Sequence, residues 1–272
     1  MTVLDEYEKW QRAMGRQPTT LETTRKVISR FLDHSATAAT EFTTEHVVDF
    51  LANESFSANT RYSYFWHLKS FSEWLVIVRK RDDFPMLHLR GPRMLRKPPR
   101  PVPGDSLPLL LKKAGNGRTR MMILLAALQG LRVHEVAKIH SSDIDIYDGS
   151  IEVLGKGGKV AILPMHDEVR RAMVREQMPR NGYWFESTAR PGKPIQPASV
   201  SKAVSKVMRD AEVPGTPHAL RHYFGTELVR SGANLRVVQE LMRHSSIATT
   251  QGYLEVQGSE MRAALSNLRI TA

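Results

Sequence analysis

Residues 216–232 read Thr-Pro-His-Ala-Leu-Arg-His-Tyr-Phe-Gly-Thr-Glu-Leu-Val-Arg-Ser-Gly. The stretch predicts a helix from about His218 to Ser231. On such a helix His218 and Arg221, three apart, are neighbours on one face. His218 and His222 are four apart, which is also a zinc-ligand spacing. A zinc site needs a third ligand, and a metalloprotease would carry Glu directly after the first His. Ala219 stands there instead.

Downstream lies Leu241-Met242-Arg243-His244-Ser245-Ser246-Ile247-Ala248-Thr249-Thr250-Gln251-Gly252-Tyr253. A tyrosine near a C-terminus is usually a packing residue. Its hydroxyl titrates near pH ~10, so it is a poor nucleophile unless cations surround it. Upstream, Arg132 follows Gly130-Leu131 at the start of a predicted helix and can aim its guanidinium at an anion. Glu135, three residues on, is near enough to hold that arginine, although Arg-x-x-Glu is also common on solvated helix faces. Gly155-Lys156-Gly157-Gly158-Lys159 places lysines on a glycine turn between predicted strands at 151–154 and 160–163. A nucleotide-binding loop needs Gly-Lys followed by Ser or Thr and a helix. Val160 and a strand follow here, so a hairpin with solvated lysines fits the segment taken alone.

Together these elements supply two arginines, a lysine, histidines and one tyrosine. Such a set suits phosphodiester transfer. Paired guanidiniums hold non-bridging oxygens and stabilise a pentacoordinate transition state. A Lys or His can protonate a leaving 5′ oxygen, and a Tyr can attack phosphorus and keep the bond energy as an ester. No metal or other cofactor is required.

The chain resembles the tyrosine recombinases, also called phage integrases. "LQGLRVHEVAKIHSSDID" is similar to the family's first-arginine motif and gives Arg132 with Glu135 as support. "VLGKGGKVAILP" is similar to its β-hairpin motif and gives Lys156. "TPHALRHYFGTELVRSG" resembles its His-x-x-Arg box and gives His218 and Arg221. "LMRHSSIATTQGYL" resembles its final box and gives His244 and the nucleophile Tyr253. The match is strong over residues 104–260 and one of architecture before that. One departure is visible: the family usually has Gly before the final His, and this chain has Arg243. A long side chain there is expected to shift the backbone or add a phosphate contact. The resemblance implies a clamp around double-stranded DNA at inverted core-type sites, a homotetramer on DNA, a Holliday junction and, in some members, a directionality factor.

Working outward from the motifs, residues 85–103 carry six prolines and the basic residues Arg90, Arg93, Arg96, Lys97 and Arg100, with no acidic residue. Proline density forbids a continuous helix and favours an extended linker. Its single sign of charge suits a phosphate backbone. Residues 1–84 read as four helices. Thr2 and a Thr19/Glu22 pair look like caps. In the fourth helix Tyr64, Leu68, Phe71, Leu75 and Val78 share one face, and Arg61, His67 and Lys69 lie off it. A DNA-clasping bundle and an ordinary bundle fit this segment equally, and Arg61 and Lys69 are the DNA-contact candidates. The expected fold is mainly α with a small β-hairpin or sheet. It comprises a helical core-binding domain (1–84), a linker (85–103) and an α+β catalytic domain (104–272) with a tail helix. That helix is read from the apolar stripe Met261, Ala264, Leu265 and Leu268, and is expected to dock on a neighbouring protomer in the DNA-bound state and on its own catalytic domain in the free monomer. The helices begin at Thr2, so a further arm-type-binding domain is not expected.

Composition agrees. The formal net charge is +11 and cysteine is absent, which excludes disulfides, thiolate catalysis and Cys-ligated zinc. So basic a chain prefers a polyanion, nucleic acid first. The longest apolar run, Met121–Leu128, is far short of the roughly 20 residues that cross a bilayer. The acidic N-terminus does not resemble a signal peptide. The expected location is therefore the cytoplasm, on DNA. Four other readings stand beside an integrase: a Xer-like dimer resolvase, a type IB topoisomerase, a non-catalytic DNA-binding regulator and, more distantly, a zinc hydrolase.

Overall fold

The computed structural model describes residues 1–95, 100–155, 158 and 160–243. The chain forms two compact units, Met1–Lys97 and Pro98–Ala272. The first holds four helices: α1 (Val3–Ala13), α2 (Pro18–Ser35), α3 (Thr44–Ala52) and α4 (Ala58–Ile77). Thr2 opens α1 reciprocally. Its hydroxyl accepts the Asp5 N–H, and the Asp5 carboxylate accepts the Thr2 N–H at 2.8 Å. The expected Thr19/Glu22 cap is not used. Pro18 takes the first turn, where its missing N–H is no loss, so α2 starts earlier and Thr19 lies inside it.

The core of this unit is aromatic, with Tyr7, Phe31, Phe42, Phe50, Phe56, Phe65, Phe71 and Trp74 buried around Leu68 and Leu75. Because α4 packs against both α2 and α3, its buried stripe is wider than the single face predicted. Phe65 and Trp74 join it, while Val78 falls at the C-cap and is exposed. The proline-rich stretch is not a free spacer at its start. Met86 is fully buried in this core, and the Thr44 hydroxyl donates to the Pro85 carbonyl at 2.6 Å.

The second unit is built around α6 (Gly117–Ala127), in which every residue from Met121 to Ala127 is buried. A helix apolar on all sides belongs in the middle of a core. Around it pack α5 (Ser106–Lys113), α7 (Val133–Lys138), α8 (Asp167–Arg175), α9 (Pro197–Asp210) and α10 (Pro217–Arg230); α11 (Leu235–Leu241) packs on α10. Val102, from the far end of the proline-rich stretch, lies in this core. Strands β1 (Ile144–Asp145), β2 (Ser150–Leu154) and β3 (Val160–Pro164) form an antiparallel sheet in that order, with Ile151 opposite Leu163 and Leu154 opposite Val160. A second antiparallel pair joins β4 (Glu186–Ser187) to β5 (Arg190–Pro194). Neither β1 nor this pair was legible in the sequence. Two residues show no period, and Arg-Pro-Gly-Lys-Pro has no apolar alternation. The architecture is the expected one, mainly helical with small antiparallel sheets. Among the described residues no helix is long and apolar enough to cross a membrane. The helix expected at the tail stripe lies outside the described residues.

Truncating Met86 should expose how firmly the linker's start is fixed. Met86→Ala is expected to cost about 2–5 kcal/mol, the range for emptying a buried methionine site. Urea unfolding of the full chain measures it, and an unchanged midpoint would contradict the packing.

Candidate active site

Gly130 leaves the end of α6 with φ +62°, and a Cβ there would lie 2.4 Å from the Phe224 ring. Only glycine fits, so the backbone comes close against α10 before turning into α7. Arg132 then takes the N-cap of α7. The Glu135 carboxylate accepts its backbone N–H at 2.7 Å and its guanidinium at 2.9 Å. The first-arginine motif is thus a closed loop, in which one carboxylate satisfies a helix N-terminus and orients the arginine.

Arg221, on α10, is 2% exposed. Its guanidinium donates to the carbonyls of Gly130 and Met242. Met242 is the C-cap of α11, where helix carbonyls lack intrahelical partners and the helix dipole is negative. The next residue completes the junction. Arg243 has φ +50°, its carbonyl accepts from Arg132 at 3.3 Å, and its guanidinium reaches Glu135 at 2.6 Å. A longer bond, 3.4 Å, runs from the same nitrogen to the Gly130 carbonyl. Arg132 and Arg221 therefore converge on one small group of carbonyls. The phosphate contact expected of Arg243 is not made by a solvent-facing side chain, because that side chain turns inward and is 10% exposed. The positive φ accounts for the glycine that the resemblance led one to expect at this position.

The electrostatics follow from this packing. Burial acts most strongly on Glu135 and would raise its pKa. The positive charges of Arg243 and Arg132 and the Arg132 N–H outweigh it and hold the carboxyl below its ordinary range. Burial pushes the Arg243 guanidinium below its usual value, against the pull of Glu135. The rings of His218 and His222 meet edge to face, 4.5 Å between centroids. Burial, then His218 and Arg221, bring His222 down to about 4. Crowding by protein, then Arg221 and Arg132, also lowers His218. Both are neutral at pH 7. Among the described residues, no three His, Asp or Glu side chains come together as metal ligands.

Lys156, His244, Tyr253, Arg96 and Lys97 lie outside the described residues. Of the DNA-contact candidates, Arg61 is engaged within its own unit, donating to the carbonyls of Leu51 and Asn53 at 2.9 and 3.0 Å and so tying α4 to the end of α3. Lys69 lies 5.6 Å from the Trp66 ring. Arg90, Arg93 and Arg100 are exposed. The sequence reading missed two functional features: the inward role of Arg243 and the Gly130–Phe224 contact. Gly130 directly before Leu131-Arg132 was the available signal for the second. For the first there was none.

The chain is similar to known proteins over most of its length. The sequence model of the phage integrase family matches residues 104–260. The tyrosine recombinase XerD of Listeria innocua is 30% identical over 83% of this chain and 83% of its own length. XerD of Staphylococcus saprophyticus is 27% identical over 96% of each. Among solved structures, the integrase from mycobacterium phage Brujita shares 34% identity over 98% of this chain and 94% of its own, with a TM-score of 0.52. A lambda integrase dimer bound to a COC′ core site aligns over 94% of this chain and 95% of its own with a TM-score of 0.76; at 19% identity it shows the fold.

Glu135 gives a pH test. A carboxyl held below its ordinary range adds stability that is complete above that range and lost as pH falls from there through the lowered native value. Glu135→Gln should lower stability at pH 7 by about 3–5 kcal/mol, since a buried arginine loses its charge partner. The gap to wild type should begin to narrow as pH falls below about 4, the ordinary carboxyl range, and close as it passes the lower native value of Glu135. Urea titrations at stepped pH measure this, and a gap independent of pH would assign the effect to packing.

Proposed function

The chain belongs to the phage integrase family, the tyrosine recombinases, and on that premise we propose how its own residues cut and rejoin DNA strands. Arg132 and Arg221 hold the non-bridging oxygens of the scissile phosphate. The Tyr253 hydroxyl attacks phosphorus, the bond from phosphorus to the 5′ oxygen breaks, and a 3′-phosphotyrosine ester forms. Lys156 protonates the leaving 5′ oxygen. His218 is neutral at pH 7 and so able to accept the tyrosine's proton, with His244 as a further hydrogen-bond donor to the phosphate. Attack by the 5′ hydroxyl of a partner strand reverses these steps and frees Tyr253. Two such exchanges pass through a Holliday junction in a homotetramer.

The observation that carries this reading is the convergence of Arg132 and Arg221, distant in sequence, on the carbonyls of Gly130, Met242 and Arg243. A non-catalytic DNA-binding protein has no need of two arginines so fixed. The role we favour is integration by a phage or other mobile element, acting on core-type sites in the cytoplasm and subject to a directionality factor. The first unit serves as the core-binding domain. Arg90, Arg93, Arg96, Lys97 and Arg100 follow the DNA backbone, with Lys69 beside them in this role and Arg61 mainly structural.

On a nicked suicide substrate, Tyr253→Phe should bind DNA and form no covalent adduct. Arg132→Ala and Arg221→Ala should each slow cleavage by ~100-fold or more. An adduct from the Phe variant, or near-normal cleavage by either Ala variant, would refute the assignment. DNA affinity should also fall steeply with added salt, as phosphate contacts release counterions. Replacing Arg90, Arg93 and Arg100 together should flatten that dependence; an unaltered slope removes the linker from the DNA path.

A further inference from the structure

Arg243 is held by more connections than a turn residue needs. Its backbone lies in the left-handed region, unfavourable for a residue with a β-carbon. Its side chain is 10% exposed and pairs with a Glu135 side chain that is 1% exposed. The same nitrogen also donates to Gly130, and the Arg243 carbonyl accepts from Arg132. Among the described residues its buried Nε has no partner, a cost that the other bonds offset. A glycine here would adopt the same φ freely. It would also leave Glu135 with Arg132 as its one hydrogen-bonded cation.

We propose that Arg243 is a positioning residue for recombination: it clamps the loop carrying Arg132 to the end of α11, and so holds both phosphate-binding guanidiniums on the carbonyls of Gly130, Met242 and Arg243. The proposal rests on the reading of Arg132 and Arg221 as phosphate ligands. Arg243 touches neither phosphate nor nucleophile in this scheme. It acts through Glu135 and Gly130, which set Arg132 and Arg221 respectively, and one peptide bond joins it to His244.

A purely structural role and a positioning role differ in two readouts. Positioning affects the rate at saturating DNA and leaves affinity alone. It also alters the pH profile, because Arg243 helps hold Glu135 charged. Among the described residues, the cations that act on that carboxylate are Arg243 from the end of α11 and Arg132 from its own turn, with the titratable His134 beside it and Arg221 of α10 on the neighbouring Gly130 carbonyl. Losing Arg243 therefore moves the protonation of Glu135, and the acid limb of cleavage, to higher pH.

The test is single-turnover cleavage of a suicide substrate by full-length Arg243→Met, Arg243→Lys and Arg132→Ala, with DNA affinity and thermal unfolding measured alongside. Arg243→Met should bind DNA like wild type, cleave about tenfold to 100-fold more slowly at saturation, and show an acid limb at higher pH. Arg243→Lys should recover part of both. If Arg243→Met does not fold, Arg243→Gln replaces it, keeping a hydrogen bond to Glu135 and removing the charge. A wild-type rate with an unmoved acid limb overturns the clamp. So does a rate that falls only in step with DNA affinity. Normal cleavage by Arg132→Ala overturns the phosphate-binding reading instead, which separates the two failures.

Discussion

One buried carboxylate makes the rest of this site possible. Glu135 is 1% exposed and bonds the guanidiniums of both Arg132 and Arg243. Arg221, buried as well, shares the Gly130 carbonyl with Arg243. Three guanidiniums this close would repel one another, and each buried cation left unpaired costs several kcal/mol, on the order of the desolvation of one ion. Two features offset that cost: the carboxylate, and backbone carbonyls left over at helix ends, where the dipole is negative. One negative charge against three positive ones still leaves the cluster cationic. That is the sign a phosphodiester needs, and it is achieved without leaving the arginines disordered in solvent.

The carbonyls serve as anchors only if the backbone that bears them is fixed. Gly130 is fixed because α6, directly before it, is buried on every side. The chain then presses against Phe224 with no room for a β-carbon. Phe224 lies three residues after Arg221, so the two are neighbours on α10. One face of that helix therefore both packs against the Gly130 turn and donates to its carbonyl. The arginine's geometry is inherited from a fully buried part of the core, which suits the phosphate-holding role proposed for it.

Much of this was legible in the sequence, for identifiable reasons. The helices of the first unit followed from apolar spacing, and Thr2 from its capping chemistry. The hairpin of β2 and β3 followed from two apolar runs about a glycine turn. Arg132 with Glu135, and His218 with Arg221, were found because their partners lie within one helical turn. What escaped depends on contacts between distant segments. The pair between Glu135 and Arg243 crosses most of the catalytic unit, and no local period announces it. The same holds for Met86, whose proline-rich surroundings read as an extended linker until a core was there to receive it. A local misreading, Thr19 as a cap, came from two competing helix-start signals, of which Pro18 prevailed.

The histidines show how the same field serves the chemistry. His218 and His222 are neutral near pH 7 because they are crowded by protein and face cations. A neutral imidazole can accept a proton, whereas an imidazolium cannot. Burial first, and the cationic excess left by Glu135 second, keep His218 neutral, the form the base of the proposed reaction requires; in that proposal the same excess draws in the phosphate. A phosphodiester bound between Arg132 and Arg221 brings negative charge beside these rings and raises their affinity for a proton. In the proposed reaction the tyrosine's proton therefore gains an acceptor when the phosphate arrives.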